Sequence, residues 1–352
     1  MITFPSLTSW QRGVLAPPTP TPPATQDTLR VLMITSEWPS PGAPRTTFIK
    51  RQADFLKAAG VHVDVFAFRG DQNPYKYATM WWRAQSLLVP DRYDLVHAQF
   101  GQSGLLALPK RLPLVVTFRG SDLLGVVRDR DGRYSLRGRA LQRASRLVAR
   151  RADAVIVVAD FMRQHFATEA PVHVIPSGLD LRLFRPMPRD AARAQLGFAP
   201  DERLVLFLGR PTQARKRHGL AKAAVDAMSP RLPARLVVAW RVPHEEIPVY
   251  MNACDALLVT SMQEGSTNVV KEALACNLPV VAVPVGDVPE RLAGVAGCAV
   301  CYDERPETIA AHLEEVLRRG ARVDGRSAVR HLDETLLTER VIEIYRSVLN
   351  PR

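Results

Sequence analysis

Short apolar runs recur along the chain, each followed by turn residues and then by a segment with helical spacing. The first, RVLMIT (30–35), leads through SEWPSPGAP into TTFIKRQADFLKAAG, where Phe48, Phe55, Leu56 and Ala59 fall near one helical face and Gly60 stops the helix. VHVDVFAF (61–68), DLVHAQF (94–100), PLVVTF (113–118), DAVIVV (153–158) and VHVIP (172–176) predict further strands. Several are apolar at every position, which predicts a parallel sheet covered by helices on both faces. The alternation restarts with RLVLFLG (203–209), ARLVVAW (234–240), DALLVT (255–260), LPVVAVPV (278–285) and CAVCY (298–302). Residues 177–202, broken by Gly and Pro, read as the hinge between two βαβ domains. The division predicted is a flexible Pro/Thr-rich leader at 1–28, a first domain at 29–180 and a second at 181–330. ETLLTERVIEIYRSVL, near the end, is a long amphipathic helix.

The chemistry concentrates between Ser261 and Glu290. Thr260 ends a strand, so Ser261 to Thr267 lie at the carboxyl edge of the sheet, where ligands of open α/β sheets bind. Gly265 permits close approach of the backbone to a ligand. Ser266 or Thr267 is a candidate N-cap for the next helix, whose first amides would face an anion. Asn277 and Pro279 end that helix. Glu264 and Glu272, eight positions apart, can face one cleft and accept hydrogen bonds from sugar or ribose diols. Arg210 follows Gly209 at a strand end, and QARKR (213–217) supplies further cations for a diphosphate; spacing does not choose among Arg215, Lys216 and Arg217. In the first half, PGAP (41–44), with Gly42, is the first β–α loop, His97 ends a strand, and Arg119, Ser121 and Asp122 follow another. All should face the second domain. Asp122 could equally cap a helix, and His97 could be structural.

Composition changes the picture only modestly. The 352 residues are 47% apolar and 23% charged, and a net charge of +12 favours anionic partners. Four cysteines do not make a disulfide scaffold, and the CxxC at Cys298 and Cys301 lacks the second half of a zinc site; reduced thiols in a cytosol are expected. No apolar run reaches membrane-spanning length, and the N-terminus lacks the layout of a signal peptide. RDRDGRYSLRGRALQRASRLVARR (128–151) holds nine arginines and two aspartates, as suits either contact with an acidic membrane surface or a solvated helix face. Trp81 and Trp82 fit either interfacial anchors or core. No helix-turn-helix or RNP pattern points to nucleic acid.

These motifs resemble the retaining GT-B glycosyltransferases of family 4, the group 1 glycosyltransferases. EGSTNVVKE (264–272) is similar to their E-x7-E element, VIPSGLDLRLFRP (174–186) to their interdomain linker, and FLGRPTQARK (207–216) to their G-R-x-x-x-x-K loop with one extra residue. The resemblance covers about residues 29–350. It implies two Rossmann-like βαβ domains facing each other across a cleft, with the final helix, 331–352, returning to the first domain. It implies transfer of a sugar from a nucleotide-diphosphate sugar to an acceptor hydroxyl with retained configuration, without metal or cofactor. It favours Lys216 as the loop lysine. Arg210 and Lys216 would hold the diphosphate, Glu264 the donor sugar and Glu272 the ribose, with Gly265, Ser266, Thr267 and Asn268 around sugar and phosphate. A sugar or lipid-linked acceptor follows, in polysaccharide or glycolipid assembly at the cytoplasmic membrane face. The chain departs from the family's pattern at Gln99, where a second histidine is common, at Arg119, where His-Gly is common, and at Trp240 to Pro243, where a glycine-rich turn is common. A nucleotide-sugar 2-epimerase type of enzyme and a basic binding protein without catalysis are the alternatives; the E-x7-E spacing argues against the epimerase.

Overall fold

This computed structural model describes residues 28–39, 47–68, 74–125 and 136–350. The leader, apart from Thr28, the Gly42 loop and the first part of the arginine-rich segment lie outside the described residues. Six strands form the first sheet: β1 (Arg30–Thr35), β2 (His62–Ala67), β3 (Leu95–Gln99), β4 (Leu114–Phe118), β5 (Ala154–Val157) and β6 (Val172–Val174). Five form the second: β7 (Leu204–Leu208), β8 (Arg235–Ala239), β9 (Ala256–Val259), β10 (Val280–Ala282) and β11 (Ala299–Val300). The orders are β2-β1-β3-β4-β5-β6 and β11-β10-β9-β7-β8, and every pairing is parallel.

The central strands β3, β4 and β5 are buried on both faces, as parallel strands under two helical layers must be. On one face of the first sheet, Val31, Met33, Leu95 and Val115 pack against Ile49 and Leu56 of the helix Thr47–Ala58 and against Leu337, Val341 and Tyr345 of the helix Glu334–Leu349. The terminal helix thus rests on the first lobe. On the other face, Leu32, Ile34, Val96 and Val116 meet Ala84, Leu88, Val148 and Ala149. The main core of the second lobe also takes in Leu179, Phe184, Val329 and Leu332 from the connecting segments. Cys254, Cys276 and Cys301 are buried, Cys298 is half-buried, and all four are free thiols.

The chain crosses between lobes twice, and the crossings lie side by side. The Leu179 N–H donates to the Leu332 carbonyl at 2.9 Å, and the Glu334 N–H to the Leu179 carbonyl at 3.1 Å. Arg51 ties the first lobe to this junction: it donates to Glu334 at 2.7 Å and to the Gly178 carbonyl. Gly178 is glycine for a steric reason, since a Cβ there would sit 2.5 Å from the Glu334 carboxyl carbon.

Candidate active site between the lobes

Both sheets reverse their strand order, between β1 and β3 and between β7 and β9. Each reversal leaves a crevice beyond the strands' carboxyl ends, the position where α/β folds take ligands. The two crevices face each other around a cavity of about 400 Å³. Its second-lobe wall includes Arg215, Lys216, the run from Gln263 to Val269, and Glu272; its first-lobe wall includes Glu37, Phe48, Arg119 and Ser177.

The second-lobe wall is an ion cluster at the β7–β9 reversal. The turn Ala214–Lys216 brings Lys216 Nζ to 2.7 Å and Arg215 Nη1 to 2.9 Å from the same oxygen, Glu264 Oε1. Burial pushes the Glu264 carboxyl up, but Lys216 and Arg215 outweigh it and hold the group below its ordinary range. The acid is therefore ionised at neutral pH and fixes two cations at the cavity edge. Arg217 turns away, donating to the Thr260 carbonyl at 2.6 Å and pairing with Glu304.

The next wall is the start of the helix Asn268–Ala275. Thr267 occupies the N-cap position but makes no capping hydrogen bond with its side chain. Asp287, from the loop after β10, instead braces the N-cap residue and its neighbour. It accepts from the Thr267 N–H at 2.9 Å and the Ser266 hydroxyl at 2.7 Å, and is itself held by Arg291 at 2.9 Å. Thr267 Oγ1 and Asn268 Oδ1 remain buried in the cavity wall without a partner, an arrangement a bound polar ligand would satisfy. Lys271, almost fully buried, donates to the Ser177 carbonyl at 2.9 Å and to Ser266 Oγ at 3.1 Å. Burial pushes its ammonium down to about 8, with Asp287 and Glu272 opposing that shift.

In the first lobe, Asp122 is a clamp. Its carboxylate accepts from the backbone N–H groups of Gly101 (3.0 Å), Arg119 (3.1 Å) and Gly120 (2.9 Å), and so shapes the loop after β4. That loop meets the second lobe backbone to backbone: a Cβ on Gly265 would lie 2.2 Å from the Arg119 carbonyl oxygen. His97 is wholly buried, bonded to the hydroxyls of Tyr345 (2.6 Å) and Thr117 (2.7 Å). Burial pushes its imidazole down to about 3, with Arg119 adding to the effect, so it is neutral.

Lys216, Glu264, Gly265, Ser266, Thr267, Asn268, Glu272 and Arg119 thus share one cavity. Arg210, His97 and Asp122 do not line it. Arg210 is exposed, bonded to Thr212 at 2.6 Å and lying 5.9 Å from the Trp240 ring centroid, and so stays outside the cavity that Lys216 enters. Gly42 lies outside the described residues. Sequence reading did not single out Lys271, which lies between Glu264 and Glu272 and looks like a solvated helix residue; Phe48 entered only as one position of an apolar helical face, and Gln99 only as a departure from the family's pattern. Among the described residues no three His, Cys, Asp or Glu side chains gather as a metal site requires.

Residues 29–183 match Glycosyltransferase Family 4, and residues 220–319 match the Glycosyl transferases group 1. The D-inositol 3-phosphate glycosyltransferase of Thermobispora bispora is 29% identical over 318 residues, 76% of this chain and 73% of the relative. The enzyme of the same name from Mycobacterium tuberculosis is 31% identical over 294 residues, 71% of this chain, which spans 60% of that relative's length. Among solved structures, sucrose-phosphate synthase from Thermosynechococcus elongatus aligns at TM-score 0.76 and 20% identity, over 92% of this chain and 100% of that one. The Anabaena HepE protein in complex with UDP and glucose aligns at TM-score 0.66 and 18% identity, over 91% and 100%. With matched segments in both lobes and two facing parallel sheets, the chain belongs to the GT-B glycosyltransferases of family 4 and group 1.

Proposed function

We propose that this chain transfers a sugar from a nucleotide-diphosphate donor to an acceptor hydroxyl, with retention of configuration and without a metal ion. The observation that carries the reading is the convergence of Lys216, Arg215 and the start of the helix Asn268–Ala275 on one cavity edge. Two cations and a row of helix-start amides are suited to a diphosphate and to the charge that grows on it as the glycosidic bond breaks. Glu264 holds those cations in place and presents its second oxygen to the sugar. Glu272, farther along the same helix and lining the cavity, takes a ribose diol in this reading. The acceptor enters from the first-lobe side, and the departing phosphate takes its proton, so no side chain need act as a covalent nucleophile. The capture of UDP and UDP-glucose by the structurally similar HepE supports a nucleotide-sugar donor. The names of the relatives support a small polar acceptor.

A peripheral site on an acidic membrane, serving a lipid-linked acceptor, fits the helix Leu136–Arg151, where Arg139, Arg143, Arg146 and Arg150 are exposed along one side. Co-sedimentation with acidic vesicles checks that part of the reading.

The main test is thermal unfolding with UDP, GDP and ADP and their sugars. A nucleotide at a hundred times its Kd should stabilise the fold by about 2.7 kcal/mol. Lys216→Ala should lower kcat by roughly 10²–10³ with folding intact. An unchanged rate, or no stabilising nucleotide, overturns the reading.

A further inference from the structure

Arg119 differs in its surroundings from the other deeply set arginines of this molecule. Arg193, fully buried, ends on the Asp255 carboxylate and on the carbonyls of Ala253, Ala199 and Pro200. Arg51 ends on Glu334 and the Gly178 carbonyl. Arg326 ends on the carbonyls of Phe184, Ala275 and Leu181. These are structural clamps, each spent on a carboxylate or the main chain. Arg119 instead lies in the cavity wall and bonds only neutral side chains: Gln99 Oε1 from Nε (3.1 Å) and Nη2 (2.7 Å), Gln52 Oε1 from Nη2 (3.1 Å), and Ser177 Oγ from Nη1 (2.7 Å). Its guanidinium lies 4.7 Å from the Phe48 ring centroid. Of its five N–H groups, one on Nη1 has no bond among these. No carboxylate stands within salt-bridge reach of it among the described residues; Glu334, Asp122 and Glu37 act on it from farther away.

The support behind it is also neutral. Gln99 is fully buried and is braced by Gln52 at 2.9 Å and by the ring of His97 at 3.3 Å. Asp122 fixes the backbone N–H of Arg119 itself. A cation oriented by amides and an aromatic face, with no carboxylate bonded to it and an N–H to spare at a cavity wall, is prepared for an anion from outside. On the opposite wall the nearby acid, Glu264, is already engaged with Lys216 and Arg215.

We infer that Arg119 is a specificity-determining residue that receives an anionic substituent, a carboxylate or a phosphate, carried by the sugar that is transferred or by the sugar that accepts it. This rests on the proposed nucleotide-sugar reading and narrows its substrate class. Two arms of a calorimetric titration separate the sources. In the donor arm, UDP-glucuronate is compared with UDP-glucose. In the acceptor arm, glucose 6-phosphate is compared with glucose on the UDP-loaded protein. The charged member should bind roughly tenfold to a hundredfold more tightly in one arm, as one charge-assisted contact predicts. Arg119→Gln should erase that preference while leaving affinity for UDP within about twofold of wild type, with circular dichroism and a cooperative thermal unfolding transition as the separate check that the variant is folded. Arg119→Lys, which keeps the charge but not the fork, should retain part of the preference. Equal binding of charged and neutral members in both arms overturns the inference, as does a preference that survives in Arg119→Gln. Loss of UDP affinity itself in a folded Arg119→Gln would make Arg119 a diphosphate ligand and overturns it too. Failure of UDP to bind the wild type would instead sink the donor reading on which the inference stands.

Discussion

Lys271 shows how much a single side chain can carry. Its ammonium bridges the Ser177 carbonyl of the connecting segment and the Ser266 hydroxyl of the helix start, at the cost of burying a cation. Its pKa falls from an ordinary 10.5 to about 8, so between those values the unfolded chain holds the proton more tightly than the folded one. Stability from this group therefore rises with pH across that window and is lowest below it. Urea midpoints at pH 8 and pH 10 should show the rise in the wild type and its loss in Lys271→Met; parallel behaviour of the two proteins would contradict this account. Nothing in the run EGSTNVVKE marks Lys271 for such a role. The acids at its ends are legible because their spacing matches a strand-end loop followed by a helix. The lysine's partner Ser177 lies 94 positions earlier and is brought to it by the first crossing of the chain. Arg210 illustrates the opposite failure. Spacing places it at a strand end but does not say which way its side chain turns, and it turns outward onto Thr212.

At the scale of elements, strands were the most legible feature. Each predicted apolar run contains a strand, because a fully covered parallel strand must be apolar at nearly every position. Helix starts were less legible in full, since what braces a cap can come from elsewhere in the chain. Local inspection places the cap at Ser266 or Thr267, and Thr267 is the N-cap, but the brace that holds it, Asp287, lies 20 positions beyond it. Asp287→Ala would leave the Thr267 N–H and the Ser266 hydroxyl without an acceptor and Arg291 without its carboxylate. A loss of about 1–3 kcal/mol in urea unfolding is expected, together with weaker nucleotide binding as the helix start loosens. Unchanged binding would show that the first turn is held by something else.

At the scale of the molecule, the two lobes touch where neither has a side chain. Gly265 faces the Arg119 carbonyl and Gly120 directly, and this contact sets how narrowly the cavity closes. Gly265→Ala should leave each lobe folded but hold them apart, giving a larger radius of gyration by X-ray scattering. A fall in kcat/KM on the order of 10²-fold should accompany it, since displacement of about 1 Å costs that much in reactions governed by alignment. An unaltered rate would mean that the close approach is incidental. The twofold architecture was legible from the restart of the strand pattern, whereas this contact was not, because a glycine in a loop says nothing about what lies opposite.

The adjoining paths at Leu179 and Asp333 carry a consequence of their own. With both covalent tethers bonded to one another, they act as a single pivot, and rocking about that line is the least costly relative displacement. Ser177, two residues from Leu179, is gripped by Arg119 through its hydroxyl and by Lys271 through its carbonyl. The end of the cavity nearest the pivot should therefore keep its dimensions while the far mouth swings, so a substrate group seated at Arg119 would be registered first and the diphosphate end would close onto it afterwards.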